Sequence, residues 1–478
     1  MKKVIIIGGG VAGMSAGIYL SRAGIPCEIY EKNTCMGGNL TAWERSGCTV
    51  DNCIHWLTGP REGNEANRIW KEVGVLGEKI QVQRRDALYE SEYEGERIAF
   101  LASPLETAAR MRALSPADKR QINRFIRTVR ALEAFGAGGS TKSRMGLLFH
   151  LPSLLYYKRK TLSEVAKKFH HPLLRLALCD YIGGEFSALA LLLAYSAYTS
   201  GNGSVPIGGS RAAAERMAKA CQGLGCTLHT GMGVSRIIVT KGRVQGIITS
   251  EGDEVAADYV IAACDPSFTF GELLPEGLMP RSYRRRAENP KTPVFSAVHT
   301  AFMCDKDAIE PFGTRIIPAP PISSRSGERL AVREFSHEKG FAPEGKTVLQ
   351  TMVFLREDEA REWISLSKDS ASYRQKKEET ANLCRQAILA AMPRLKESLT
   401  LIDVWTPATY HRYFHARSGA FLSYAMTPSA PLSMLPSRIR ALKGLFIASQ
   451  WQASVGGLPN AAKAGKRAAE DVIARLRR

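Results

Sequence analysis

The chain has 478 residues, of which 45% are apolar and 23% charged. That is an ordinary globular mix, long enough for two domains or one interleaved pair, with a core that needs no disulfide or metal staple. The formal charge of +19 admits a nucleic acid, an anionic membrane surface or plain solubility as its reason; with no helix-turn-helix, zinc-finger or RNA-binding signature, a nucleic-acid partner is set aside.

Lys2 to Ile7 is a short β-branched run, the pattern of a buried parallel strand. Its apolar part is four residues long and ends in glycine, which does not make a secretory leader. Gly8-Gly9-Gly10-Val11-Ala12-Gly13 follows and satisfies G-x-G-x-x-G through Gly8, Gly10 and Gly13. Gly8 permits the tight turn, Gly10 lets backbone approach a pyrophosphate, and Gly13 lets the following helix pack closely on the strand. That helix is expected to reach Ala23 and stop at Gly24, with free N–H groups and a positive dipole end offered to phosphate. A second strand, Pro26 to Tyr30, ends in Glu31, the acid expected at a ribose hydroxyl about twenty residues past the glycines.

Further along, Ser115-Pro116-Ala117-Asp118 reads as a helix start with a cap, a proline and an early acid. Between Lys142 and Arg175 basic residues gather with only Glu164 to oppose them. The stretch Phe186 to Thr199 is apolar but too short to span a bilayer. Val294 to Met303 and Val348 to Leu355 read as strands, Ala371 to Met392 as a helix, and Gly444 to Ser449 as a buried strand. Gly456-Gly457-Leu458-Pro459 then opens a last helix, Ala461 to Leu476, with proline in its first turn and Arg475, Arg477 and Arg478 at its negative end. Ten scattered cysteines include two tight groups, Cys48/Cys53/His55 and Cys221/Cys226, neither with zinc spacing. Reduced thiols, no metal and a cytoplasmic setting are expected, with attachment at the inner face of the membrane left open.

The run after Glu31, with Gly37-Gly38-Asn39 and then Asp51-Asn52-Cys53-Ile54-His55-Trp56, resembles the N-terminal signature of the flavin amine oxidase superfamily. A basic residue often follows the glycine pair there; this chain has Asn39. Pro206-Ile207-Gly208-Gly209-Ser210 and Asp258 to Pro266 are similar to the phytoene desaturase, carotenoid isomerase and retinol saturase branch. The resemblance implies FAD. It implies cofactor contacts at Gly8, Gly10, Ala12, Gly13, Glu31 and Lys32, with Gly38, Asn39 and His55 in the segments that line the FAD diphosphate and isoalloxazine. It further implies adenine contact at Val234, and Gly456, Gly457 and Leu458 at the flavin N1/O2 edge, where a helix N-terminus stabilises the negative charge that develops on reduction.

The fold expected is therefore α/β. A two-dinucleotide-binding, Rossmann-like FAD domain would form from residues 1–85, 204–290 and 416–478, with an interleaved α+β substrate domain from 86–203 and 291–415. No second G-x-G-x-x-G is present, so electrons are expected through a diffusing donor or acceptor, the substrate, oxygen or a quinone. The activity expected is flavin-dependent redox chemistry on a C–C bond of an apolar polyene, isoprenoid or other lipid, by desaturation, saturation or isomerisation. A C–N-cleaving amine oxidase and a non-enzymatic flavin carrier are the alternatives. Leu147 to Tyr157 and Phe186 to Tyr198 read either as tunnel wall or as plain helical core. The basic stretch 142–175 reads either as an anionic membrane contact or as a solvated face. The candidate catalytic residues are His55, as a hydrogen-bond donor or a structural group, Trp451 against the flavin, and His411, a proton donor sharing a helix face with His415.

Overall fold

The computed structural model describes residues 2–136 and 141–477, with side chains for all of these except 134–149. Five parallel strands, in the order Thr227–Thr230, Cys27–Glu31, Val4–Ile7, Tyr259–Ala262 and Leu445–Ile447, form the first sheet. All four residues of the central strand Val4–Ile7 are buried, because both faces of the sheet are covered; that is why the run is uniformly apolar rather than alternating. On one face lie helices Val11–Arg22, Gly209–Gly223 and Leu458–Leu476, packed through Met14, Met217 and Val472. The first and last of these touch backbone to backbone, since a Cβ on Gly465 would lie 2.1 Å from the Ala12 carbonyl oxygen. On the other face, an antiparallel meander of Val234–Thr240, Arg243–Thr249 and Glu254–Ala256 seals Ile5, Ile7 and Val260 with Ile237 and Ile247.

A second sheet has seven strands, in the order Thr400–Trp405, Ser296–Asp305, Lys346–Leu355, Gly327–Glu334, Thr314–Ser323, Ala87–Tyr93 and Glu96–Leu101. Its neighbours are antiparallel apart from Thr314–Ser323 with Ala87–Tyr93. The helix Ser370–Ala391 covers it through Cys384 and Ile388. A helical group, which includes Pro104–Leu114, Lys119–Gly136, Pro172–Asp180 and Ala188–Thr199, packs on the hairpin 87–101 around Tyr89 and Phe100. The helix start expected at Ser115 opens as a 3-10 turn, Pro116–Asp118, that runs directly into helix Lys119–Gly136. The Ser115 hydroxyl donates to the Asp118 carboxylate, and that carboxylate turns away to accept the His170 and His171 backbone N–H groups.

Asp51 ties the hairpin Ala42–Arg45/Cys48–Asp51 to the rest. Its carboxylate accepts the Ser210 N–H at 2.6 Å, the Ser210 hydroxyl at 2.7 Å and the Cys53 N–H at 3.1 Å. Gly209 sits at φ +61° beside it, where a Cβ would lie 2.3 Å from Asp51 Oδ2. This clamp sets the path of residues 52–56 between the two sheets. No described helix is long and apolar enough to cross a membrane.

Candidate active site

A cavity of about 1270 Å³ opens at the C-terminal edge of the parallel sheet and extends to the seven-stranded one. Ligands bind at this edge in open α/β sheets because the strand-to-helix turns leave free N–H groups there. The first turn supplies Gly8, Gly10 and Ala12 to the wall. Gly8 has φ +100°, which a side chain would resist, and a Cβ on Gly13 would lie 1.9 Å from the Gly8 carbonyl oxygen. Gly13 therefore shapes the turn and stands outside the cavity wall. At Gly10 the case differs: a Cβ there would meet nothing nearer than 3.8 Å, so the bare protein has room for one. That bare-backbone cradle at a helix N-terminus fits a pyrophosphate.

The end expected to meet a ribose is equally well formed. Glu31 is 5% exposed, and its carboxylate accepts Gly9 N–H at 2.7 Å and Asn33 N–H at 2.9 Å while lining the cavity. Lys32 also lines it, and its ammonium is held by the Arg412 carbonyl at 2.6 Å and by His415 Nε2 at 2.9 Å. Val234, the first residue of its strand, stands near this end with Gly233 and Ser235. Gly38 and Asn39 line the middle. Asn39 gives its amide N–H to the Phe421 carbonyl, which leaves its buried Oδ1 without a partner. Opposite them, Gly456, Gly457 and Leu458 bring the N-terminus of helix Leu458–Leu476 to the same cavity, with the Gly457 N–H fixed by Gln450 Oε1 at 2.8 Å. Two helix N-termini thus face one space, because Gly465 lets the two helices pack in contact.

His55, Trp56 and Trp451 lie where the cavity widens. Trp56 donates its indole N–H to the Tyr181 hydroxyl at 2.6 Å. Trp451 is buried and packs edge-on against Tyr424. The backbone before His55 is held by Arg333, whose guanidinium donates to the Ile54 carbonyl and to Gln350 Oε1, both at 3.1 Å. Burial pulls the Arg333 guanidinium down to about 10. Burial, then the charges of Arg333, His299 and Arg85, hold the His55 imidazole well below its ordinary range, so it is neutral at physiological pH. His299, stacked on Trp405, is driven to about 3 by burial and by Arg333.

His411 is not part of this site. It is exposed on helix Pro407–Phe414 and absent from the cavity wall. Its helix ends at His415, which turns to φ +50°, leaves the shared face and stacks on Phe268 at the dinucleotide end. Burial lowers His415 to about 4. Of the two apolar stretches, Phe186, Ala190, Leu193, Ala194 and Ala197 form cavity wall, whereas none of residues 150–157 does, and the side chains of 147–149 lie outside the described residues. Phe295, Met352, Phe354 and Phe421 complete the wide end. Met352 and Phe354 alternate on strand Lys346–Leu355, but Phe295 and Phe421 come from segments far from it in the chain, and no local pattern marks the group. Asp265, also on the wall, is raised by burial and anchors the Arg417 and Ser267 N–H groups.

The profile of the flavin containing amine oxidoreductase family matches residues 11–473. The chain is 23% identical to the chloroplastic prolycopene isomerase of Daucus carota, over 92% of this chain and 75% of that one. It is 22% identical to the 4,4'-diaponeurosporene oxygenase of Staphylococcus aureus strain MW2, over 99% and 98%. Its fold superposes on the crystal structure of an oxidoreductase from Methanosarcina mazei with a TM-score of 0.65 and 15% identity, covering 99% of this chain and 100% of the other. With its glycine cradle, its Glu31 carboxylate and two helix N-termini directed at one cavity, this chain belongs to the flavin containing amine oxidoreductase family and is an FAD-dependent oxidoreductase.

Proposed function

We propose that this enzyme acts on a C–C bond of an apolar polyene, isoprenoid or other lipid, by desaturation, saturation or isomerisation. The observation that carries this reading is the wide end of the cavity. Phe186, Leu193, Phe295, Phe354, Phe421 and Met426 line it; of the charged side chains on the cavity wall, Glu31 and Glu272 stand beside Lys32, and the Asp265 carboxylate is taken up by the Arg417 and Ser267 N–H groups. Such a wall favours a hydrocarbon over an ammonium. The likeness to proteins named for carotenoid substrates points the same way.

FAD, when bound, supplies the hydride acceptor or donor. Gly8, Gly10 and Ala12 would hold its pyrophosphate, Glu31 a ribose hydroxyl, Val234 the adenine through its backbone, and Gly456 to Leu458 the flavin edge. The chain's own work is to orient a long apolar substrate, exclude water with aromatic and Met side chains, and offer a neutral imidazole at His55 and an indole face at Trp451. Electrons pass to or from a diffusing partner.

The mouth supports a membrane-supplied substrate. Leu193, Leu432 and Met434 line the cavity yet are exposed to solvent, Leu432 by 57%. Leu151 and Leu155 are exposed on the helix Thr141–Arg159. The Lys158 ammonium ties that helix to the loop before Leu432, donating to the Pro428 carbonyl at 2.7 Å. Arg159, Lys167, Lys168 and Arg175 are exposed nearby in sequence. Exposed leucines beside basic side chains suit an anionic bilayer surface. Leu154 and Tyr156 instead pack on the helical core.

The test is product analysis of FAD-loaded enzyme incubated with polyenes, partly saturated isoprenoids and amines. A lipid that loses or gains two hydrogens, or keeps its mass with a shifted spectrum, supports the reading. Conversion of amines alone to aldehydes overturns it.

A further inference from the structure

Behind the wall of the main cavity lies a second one of about 50 Å³. His55, Trp56, Tyr181 and Met352 line both, one space on each side. Among apolar residues such as Leu88, Val205 and Ile316, the second space is also faced by Gln83, Arg85, Asp180, Ser204 and Thr314. Its size admits about three water molecules. Ser204 is 6% exposed, and its hydroxyl has no hydrogen-bond partner in the protein. Buried hydroxyls are almost always satisfied, and an orphan one in a space of this size with other polar groups on its wall marks a water position. Gln83, Arg85 and Thr314 are only half-buried, so the outer wall reaches the surface. On the inner side Asp180 is fixed by Arg329, at 2.9 and 2.7 Å, and accepts the Ser91 hydroxyl. Burial raises the Asp180 carboxyl above its ordinary range, against the opposing pull of Arg329.

We propose that this chamber holds ordered water and that His55 carries protons between it and the substrate cavity. The groups facing His55 fit a carrier. Arg333 on the strand beneath, Arg85 at the chamber and His299 across the sheet all disfavour a positive charge on the ring. A neutral imidazole has one accepting and one donating nitrogen, so it can take a proton on one side and release one on the other without storing charge. The direction of flow rests on the C–C reading. In a desaturation, bound FAD would accept one hydrogen of the substrate as hydride, with the electron pair of its C–H bond. The neighbouring carbon loses a proton to one His55 nitrogen, and the electron pair of that C–H bond becomes the new double bond. The opposite His55 nitrogen gives its proton to chamber water. Saturation runs the same steps backwards. The apolar wall of the main cavity offers few other exits for that proton, Tyr181 being the other hydroxyl that faces both spaces.

Two measurements test this, and neither needs a substrate. A high-resolution crystal structure of the FAD-loaded protein is expected to show water within hydrogen-bond reach of Ser204 Oγ; a dry chamber overturns the proposal. In histidine-¹⁵N-labelled, FAD-loaded protein, exchange of the His55 ring N–H with solvent deuterium is then followed by NMR. Ser204→Val, which removes the hydroxyl and puts two methyl groups on Cβ, is expected to slow that exchange at least about tenfold. Ser204→Thr keeps the hydroxyl and is expected to exchange as the wild type does. If Ser204→Val does not fold, Thr314→Val at the half-buried outer wall replaces it. Unchanged exchange in a folded variant shown to have lost the water overturns the carrier role. If both results hold while no lipid reacts with the flavin, the lipid reading fails and the chamber stands.

Discussion

Gly10 and Gly13 lie three residues apart in one motif, yet the structure gives them opposite roles, and two alanine variants separate them. At Gly13 the added methyl would sit 1.9 Å from the Gly8 carbonyl oxygen, a backbone atom fixed by the first turn. Helix Val11–Arg22 must then move off the sheet. Overpacking of this kind costs about 3 kcal/mol or more, with or without cofactor. At Gly10 the methyl would meet nothing nearer than 3.8 Å, and the backbone is extended at φ −73° and ψ −179°, which alanine adopts freely. The apoprotein should lose no more than about 1 kcal/mol, the usual difference between glycine and alanine at a helix cap. The methyl does occupy the pyrophosphate cradle, and a cost of about 1–3 kcal/mol there weakens FAD binding roughly 5- to 150-fold. Apoprotein unfolding in urea and FAD titration by flavin fluorescence measure the two effects independently. If Gly10→Ala destabilises the apoprotein as much as Gly13→Ala does, or if Gly10→Ala binds FAD with wild-type affinity, the placement of the pyrophosphate is wrong.

Three further predictions rest on single groups. Glu31→Gln keeps the side chain's shape but loses its charge, and FAD affinity should fall about tenfold, the worth of one charge-assisted hydrogen bond; unchanged affinity in the same titration would remove Glu31 from the ribose site. His299 is neutral when folded, at about 3 against 6.5 when unfolded, so the unfolded chain binds the extra proton between those values. Stability is then independent of this group above pH 6.5 and falls below it, by about 2 kcal/mol at pH 5. His299→Gln should flatten that part of the urea-midpoint profile, and an equally steep profile would contradict the assignment. Binding to anionic liposomes should weaken with salt and with Leu432→Glu; equal affinity for neutral liposomes at any salt would argue against a charged membrane contact.

What the sequence disclosed, and what it hid, follow from the range of the forces involved. The dinucleotide turn was legible because its constraints are local and steric: Gly8 needs a positive φ and Gly13 a bare backbone, and both lie within six residues. The closing helix at Leu458 was legible for the same reason, through its glycine pair and early proline. His411 failed because helical spacing says which residues share a face but not which face is buried; the helix presents His411 to solvent, and His415 leaves it through a left-handed turn. Arg333 gave no signal, since an arginine in a strand is commonplace, and its place beneath Ile54 depends on residues almost 280 positions apart. The Asp51–Ser210 clamp is likewise a long-range contact between two motifs that each looked complete alone. The hairpin 87–101 was not foreseen as the edge of the second sheet, because its parallel partner Thr314–Ser323 lies more than two hundred residues away.

The most direct test of the account is anaerobic titration of the FAD-loaded enzyme, followed by flavin absorbance, with a panel of saturated and unsaturated isoprenoids, polyenes and amines. The account predicts that a partly saturated isoprenoid bleaches the flavin, or that an unsaturated one restores the colour of chemically reduced enzyme, while amines do neither. Bleaching by an amine, with no response to any lipid in either direction, would contradict it.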